Sequence, residues 1–145
     1  MPQCYLLASE YMRHGSLLEL LMKSLEKKRP LSVQIRYYLC RSLYIACKYL
    51  WEKDRICHND LKPDNILIND DFTLRLCDFG HSSKFKDVLK YPVGTMNYRA
   101  FEINEGVKSY KAAKAEIFAF ASVIFSIFFC RKPFPMMASS KDYRY

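Results

Sequence analysis

The sequence feature that most restricts the fold is a pair of polar motifs separated by two short triplets of mainly apolar residues. The first motif is His58-Asn59-Asp60-Leu61-Lys62-Pro63-Asp64-Asn65, and the second is Asp78-Phe79-Gly80. Between them, Ile66-Leu67-Ile68 and Leu74-Arg75-Leu76 flank the acidic turn Asn69-Asp70-Asp71. Two apolar runs around such a turn predict a β-hairpin. The hairpin would bring the end of the first motif beside the start of the second.

The two motifs contain the residue types that phosphoryl transfer from a nucleotide requires. That reaction needs a carboxylate to orient the attacking hydroxyl, a cation near the moving phosphate and oxygen ligands for magnesium. Asp60 can supply the carboxylate and Lys62 the cation. Asn65 and Asp78 can supply the oxygen ligands that Mg²⁺ prefers. The competing interpretations are a purely structural loop carboxylate at Asp60 and a turn residue at Asn65.

The order and spacing of the motifs resemble the catalytic loop and the magnesium-binding Asp-Phe-Gly of eukaryotic protein kinases. Gly94-Thr95 and Ala100-Phe101-Glu102 extend the resemblance downstream. It implies that Asp60 is the catalytic base, that Lys62 neutralises the transferred phosphate and that Thr95 hydrogen-bonds near both. Lys62 at its position also implies Ser/Thr substrates, because tyrosine kinases carry arginine- or alanine-containing loops there.

The same resemblance implies where ATP and Mg²⁺ bind. Backbone groups of Glu10 and Met12 would contact the adenine edge, and Leu67 would form the floor under the ring. Asn65 and Asp78 would hold the magnesium ion and complete the cofactor site. For Leu67, an ordinary core leucine is the alternative interpretation.

Three positions depart from the family pattern. Asn59 stands where many kinases have an arginine that binds a phosphate on the activation segment, so we expect activity without such phosphorylation. Ala100-Phe101-Glu102 replaces the usual Ala-Pro-Glu, and Glu116 replaces an aspartate. The longer carboxylate of Glu116 is still expected to accept hydrogen bonds from the catalytic-loop backbone. His58 is expected to pack against Phe79 rather than to act as a base.

Periodicity and capping residues predict an α+β fold that is mainly helical. A short strand is expected over residues 4–12, and Ser16 and Ser32 are predicted to cap two helices, the second running to about Lys53. A third helix is expected from about Ala112 to Phe129, with Ile117 to Cys130 the most buried segment. The polar, aperiodic residues 80–94 predict a loop.

This order of elements resembles the hinge strand and the first part of a kinase large lobe. Residues 1–145 are therefore expected to form a partial kinase domain, truncated at both ends and lacking the small lobe. No Gly-x-Gly-x-x-Gly occurs in the sequence, and the lysine that holds the α- and β-phosphates would belong to that lobe. The isolated chain is thus expected to transfer phosphate poorly. The alternative function is a pseudokinase-like or truncated scaffold that binds partners without catalysis.

Charge and cysteine usage restrict the partners and the compartment. The formal charge is +8, but the cations are scattered and not interleaved with aromatics, which favours a solvated surface over nucleic-acid binding. The uncharged stretch Ile117 to Cys130 is shorter than the roughly 20 residues of a spanning helix, so no membrane association is expected. Six cysteines without a metal-binding spacing, and no signal peptide, predict reduced thiols in the cytoplasm. The expected partners are a protein substrate and ATP.

Overall fold

The computed structural model describes Cys4, Leu6 and residues 8–139. Within these residues the α-helices are α1 (Leu17–Glu26), α2 (Val33–Tyr49), α3 (Phe101–Asn104) and α4 (Ala112–Phe129). The strands are β1 (Ile56–Cys57), β2 (Ile66–Ile68), β3 (Leu74–Leu76), β4 (Ser83–Lys84), β5 (Val88–Leu89) and β6 (Tyr110–Lys111). Helices predominate and the sheets are small, as expected for the predicted α+β class.

The two predicted helix starts are confirmed. The Ser16 hydroxyl accepts a hydrogen bond from the Glu19 amide at 3.2 Å, and the Glu19 carboxylate accepts one from the Ser16 amide at 3.4 Å. This reciprocal capping box satisfies two amides that the first turn of α1 leaves unpaired. Ser32 caps α2 in the same position, accepting from the Ile35 amide at 3.3 Å. A π-helical turn, Leu50–Asp54, continues α2 to the predicted end near Lys53.

The predicted hairpin is also confirmed. β2 and β3 pair antiparallel, with Ile66 opposite Leu76 and Ile68 opposite Leu74. One further bond extends the ladder, from the Cys77 amide to the Asn65 carbonyl at 3.0 Å. The end of the first polar motif therefore lies beside the residue that precedes Asp78.

Helix α4 passes through the centre of the core. Its buried positions are Ala112, Ala115, Glu116, Ala119, Ser122, Val123, Ser126 and Ile127, more than either α1 or α2 contributes. The predicted burial of this segment is confirmed, although Ile117 and Phe129 on its other face are 57% and 59% exposed. By its length and composition α4 could also cross a membrane. The same length and composition occur in buried core helices, and 44% of α4 is buried inside the fold.

Two predictions of secondary structure are wrong. Among the described residues of the expected strand 4–12, none pairs with another segment, and a strand needs a neighbour for its backbone hydrogen bonds. Residues 5 and 7 of that stretch lie outside the described part. The expected loop over 80–94 contains β4 and β5, which pair with β1 and β6. Strands of two residues are too short to produce a visible alternation in the sequence.

Candidate active site

Asp60 lies in the loop that follows β1, and its carboxylate contacts the side chains of Lys62 and Thr95. Its Oδ2 lies 2.9 Å from the Lys62 ammonium nitrogen. Its Oδ1 accepts a hydrogen bond from the Thr95 hydroxyl at 2.8 Å. The Lys62 ammonium donates to the same hydroxyl oxygen at 2.9 Å. The three side chains therefore form a closed triangle in which each one restrains the other two.

The environment of Asp60 favours its ionised form. The residue is only 6% exposed, and burial alone would raise the pKa of its carboxyl. The hydrogen bonds from Lys62 and Thr95, together with the Lys62 charge, outweigh burial and hold that pKa below its usual value. Asp60 is thus a carboxylate at neutral pH, in the state that can orient a hydroxyl and accept its proton.

Asn65 is fixed in direct contact with Asp60. It ends the helical turn Pro63–Asn65 and is 6% exposed. Its Nδ2 donates to the Asp60 carbonyl at 3.0 Å and to Asp60 Oδ2 at 3.1 Å. Both bonds use the amide nitrogen, so the Oδ1 oxygen is the atom that a cation would bind.

Asp78 presents an exposed carboxylate just beyond the hairpin. Its backbone is left-handed, with φ 61° and ψ 70°, and its Oδ1 accepts from the Gly80 amide at 3.4 Å. Within the described residues, no group of three or more His, Cys, Asp or Glu side chains could hold a metal. The pair formed by Asn65 and Asp78 is nevertheless an oxygen donor set of the kind that magnesium accepts, since magnesium usually keeps waters and phosphate ligands as well. The residues therefore fit Mg²⁺ bound together with a nucleotide.

His58 is a buried connector between the two motifs. Its Nε2 lies 2.8 Å from the Cys77 carbonyl oxygen, and its Nδ1 accepts from the Asp60 amide at 3.3 Å. A backbone amide can only donate and a carbonyl can only accept, so these two contacts match the tautomer that carries its hydrogen on Nε2. The ring also packs 4.9 Å from that of Phe79. The expected packing against Phe79 is confirmed.

The buried carboxylate of Glu116 holds the backbone on which Asp60 is carried. Its two oxygens accept from the His58 amide at 2.8 Å and from the Asn59 amide at 2.9 Å. The Trp51 indole donates a weaker bond at 3.4 Å. Burial raises the pKa of the Glu116 carboxyl, and these hydrogen bonds only partly offset the effect. The expectation that glutamate can replace the family's aspartate in this contact is confirmed.

Asn59 connects the loop that carries Asp60 to the segment after Asp78-Phe79-Gly80. Its Nδ2 donates to the His81 carbonyl and to the Ser83 hydroxyl, both at 2.8 Å. Sequence reasoning singled out Asn59 but missed both contacts. A carboxamide with two N–H donors is the available signal, yet nothing local indicates a partner more than 20 residues away.

The residues expected near adenine are only partly brought together. The Met12 carbonyl accepts from the Gly15 amide at 3.0 Å, and Ser16 forms an isolated bridge with Leu67. Met12 and Leu67 therefore lie on neighbouring segments, with Leu67 half-buried. Glu10 lies in the exposed segment before this turn.

Comparison with known proteins agrees with this geometry. The family model described as the protein kinase domain matches residues 2–145. The chain is 32% identical over 146 residues to receptor-interacting serine/threonine-protein kinase 1 of Homo sapiens, covering 90% of this chain and 21% of that protein. It is 30% identical over 130 residues to a leucine-rich repeat receptor-like serine/threonine/tyrosine-protein kinase of Arabidopsis thaliana, covering 85% and 20%.

A third relative is the carbon catabolite-derepressing protein kinase of Secale cereale, 28% identical over 135 residues, with 92% of this chain and 26% of that protein covered. The chain thus spans about a fifth to a quarter of the length of these curated relatives. The family model covers almost every residue, including the triangle of Asp60, Lys62 and Thr95. The chain belongs to the protein kinase family.

Proposed function

We propose that this chain carries the catalytic residues of an ATP-dependent serine/threonine protein kinase. The observation that supports the proposal best is the closed triangle of Asp60, Lys62 and Thr95. Asp60 orients the substrate hydroxyl, and Lys62 neutralises charge on the transferred phosphate. Thr95 holds both side chains in place through its hydrogen bonds and helps select Ser/Thr acceptors. Preorganised groups of this kind are the main source of catalysis in phosphoryl transfer.

The proposed reaction transfers the γ-phosphoryl group of ATP to a protein hydroxyl. The acceptor oxygen of a protein serine or threonine forms a bond to the γ-phosphorus of ATP, and the bond from that phosphorus to the bridging oxygen breaks. The acceptor proton goes to Asp60, and ADP leaves with the bridging oxygen. Asn65 and Asp78 would hold Mg²⁺, which supplies positive charge against the phosphates when it is bound.

Residues 1–145 would correspond to the hinge and first part of a large lobe, with Glu10, Met12 and Leu67 at the adenine. The proximity of the segments that carry Met12 and Leu67 supports this assignment. All six cysteines are free, which supports a reducing cytoplasmic setting. We propose a protein substrate rather than nucleic acid or a membrane, because the catalytic groups are those of protein phosphorylation.

The proposal is tested with a hybrid protein in which the small lobe of a related kinase is joined ahead of Ala8. The hybrid is supplied with ATP, magnesium and three otherwise identical peptides that carry serine, threonine or tyrosine. We expect phosphoserine and phosphothreonine, and little phosphotyrosine. If the hybrid binds ATP but phosphorylates none of the peptides, a scaffold without catalysis becomes the better account.

A further inference from the structure

Lysines that are far apart in the sequence lie together because β5 pairs with β6. The strands are antiparallel, with Val88 opposite Lys111 and Leu89 opposite Tyr110. We call residues 84–90 and 108–114 the basic ribbon. It carries six exposed lysines, which are Lys84, Lys86, Lys90, Lys108, Lys111 and Lys114.

The register directs the central lysines of the ribbon outward. Leu89 and Tyr110 face the core, since they are only 7% and 8% exposed. Side chains alternate along a strand, so Lys111 and the opposite Val88, which is 53% exposed, lie on the outer face. Lys90, just beyond the end of β5, is exposed as well. The ribbon therefore has an apolar inner face and a basic outer face.

The positive charge of the ribbon is not balanced locally. Among the described residues, none of its six ammonium groups belongs to an ion pair. Against these six lysines the ribbon contains one carboxylate, Asp87, which accepts from the Lys84 backbone amide at 2.9 Å. An open groove of about 400 Å³ beside β6 is lined by Val88, Val107, Lys111 and Lys114, with Glu102 as its one carboxylate. The surface thus combines excess positive charge with exposed valines.

The ribbon also lies close to the closed triangle of Asp60, Lys62 and Thr95. The Tyr110 hydroxyl donates to the Tyr91 carbonyl at 3.1 Å, which fixes the chain just beyond Lys90. Thr95 follows five residues after Lys90. An extended chain spans at most about 3.6 Å per residue, so the two backbones are within roughly 18 Å of each other. A substrate whose hydroxyl reaches Asp60 can therefore extend to the ribbon within about six residues.

We propose that the basic ribbon binds an acidic segment of the protein substrate, adjacent to the residue that is phosphorylated. Glutamate or aspartate side chains would pair with the outward lysines, and an apolar side chain would lie in the groove against Val88 and Val107. The bound protein is a substrate only if the proposed kinase function holds, but the binding itself needs no phosphoryl transfer.

The test measures binding to the chain as it exists, by fluorescence anisotropy. The probe is a labelled peptide with one serine flanked by glutamates, and its matched control carries glutamines in place of the glutamates. The ribbon variant is Lys86→Gln/Lys90→Gln/Lys111→Gln. The control variant, Lys27→Gln/Lys53→Gln/Lys132→Gln, removes the same charge from exposed lysines elsewhere.

We expect the ribbon variant to bind the acidic peptide about tenfold more weakly and the control variant less than about twofold more weakly, given the modest strength of exposed charge pairs. The glutamine peptide should bind at least about tenfold more weakly to the unchanged chain. Circular dichroism melting shows whether the triple variant folds, and Lys90→Gln alone provides a milder variant that should still weaken binding about twofold.

Three results of the binding experiment would overturn the proposal, and one result with the hybrid protein would do so as well. If the two triple variants lost the same affinity for the acidic peptide, only net charge would matter. If the unchanged chain did not bind the acidic peptide at all, the lysines would be explained as charges that protect a strand edge from pairing with another chain. Tighter binding of single-stranded RNA or phosphatidylserine vesicles than of the peptide would identify another partner. The hybrid protein separates the two proposals: peptide binding without phosphorylation contradicts the kinase function alone, whereas equal KM for acidic and neutral peptides contradicts the ribbon alone.

Discussion

Gly94 approaches Asn59 so closely that a Cβ atom on Gly94 would lie 2.6 Å from the Asn59 carbonyl oxygen. Its φ of +87° is also one that residues with a side chain rarely adopt. This contact brings the segment that carries Thr95 against the catalytic loop. The absence of a side chain at Gly94 is therefore a condition for the hydrogen bond between Thr95 and Asp60.

The first prediction is that Gly94→Ala destabilises the chain by about 2–4 kcal/mol and abolishes amide protection around Thr95, because backbone strain and a steric clash combine. Gly106→Ala is the matched control, since Gly106 has φ +77° but a Cβ atom added there would meet no other atom within 4 Å. Urea unfolding and hydrogen exchange measure both variants. Equal destabilisation of the two would mean that strain alone matters and that the contact with Asn59 does not.

The second prediction concerns the proposed base. In the hybrid protein, Asp60→Asn should lower kcat by about two to four orders of magnitude, the range expected for loss of a positioned acid–base group. ATP affinity should change little. Asp64→Asn, which removes an exposed carboxylate from the same loop, should leave kcat nearly unchanged. A parallel loss of rate and ATP affinity at Asp60 would indicate a structural role instead.

The third prediction concerns the metal. Asp78→Asn in the hybrid protein should abolish magnesium-dependent ATP turnover, because a neutral amide is a far weaker magnesium ligand than a carboxylate. Asp54→Asn, an exposed carboxylate at the end of the π-helical turn, serves as the control. Turnover at a range of magnesium concentrations is the measurement. Unchanged magnesium dependence in the Asp78 variant would remove this residue from the metal site.

The fourth prediction concerns regulation. Asn59 already holds the segment around Ser83 by neutral hydrogen bonds and cannot offer the bidentate, charge-assisted contact that an arginine gives a phosphate. Phosphatase treatment of the hybrid protein should therefore lower activity less than about threefold, whereas Thr95→Ala should lower it more than about tenfold. A collapse of activity on dephosphorylation, with the phosphate mapped to Ser82, Ser83 or Tyr91, would contradict this interpretation.

The fifth prediction concerns the pH dependence of stability. The pKa of the Glu116 carboxyl is raised in the folded chain, so the folded state binds more protons than the unfolded state above the ordinary pKa of 4.5. The contribution of Glu116 to stability is therefore greatest below that value and falls as pH rises towards the folded-state pKa. Urea unfolding across this range should show that the free energy of unfolding of the wild type, relative to that of Glu116→Gln, falls as pH rises. Glu26→Gln, at an exposed position, should follow the wild type.

The sequence predicted the parts of the site that are local. Asp60, Lys62 and Asn65 lie in one short loop, and the hairpin that brings Asn65 towards Asp78 is closed by its own turn. Contacts between distant segments were mostly missed. Asn59 and Ser83 are 24 residues apart, and no periodicity records their hydrogen bond. The bond from Asn59 to Glu116 spans 57 residues and was expected only through the family resemblance.

The wrong predictions have the same physical origin. Residues 4–12 were predicted to form a strand, but a strand exists only when another segment accepts its hydrogen bonds, and no described residue of this stretch has such a partner. Conversely, β5 exists because β6 lies opposite it, although its two residues alone carry no strand signal. The pairing of β5 with β6 also brings lysines that are scattered in the sequence together on one surface.

The hydrogen bonds from the Asn59 carboxamide to the His81 carbonyl and to the Ser83 hydroxyl involve no charged group. Dissolved ions screen charge–charge attraction but have little effect on a hydrogen bond between a carboxamide and a hydroxyl. The start of this segment should therefore keep its position in concentrated salt, while the lysines a few residues later lose their attraction for an acidic partner. Within one segment, ionic strength would thus weaken binding at the lysines and leave the position of residues 81–83 unchanged.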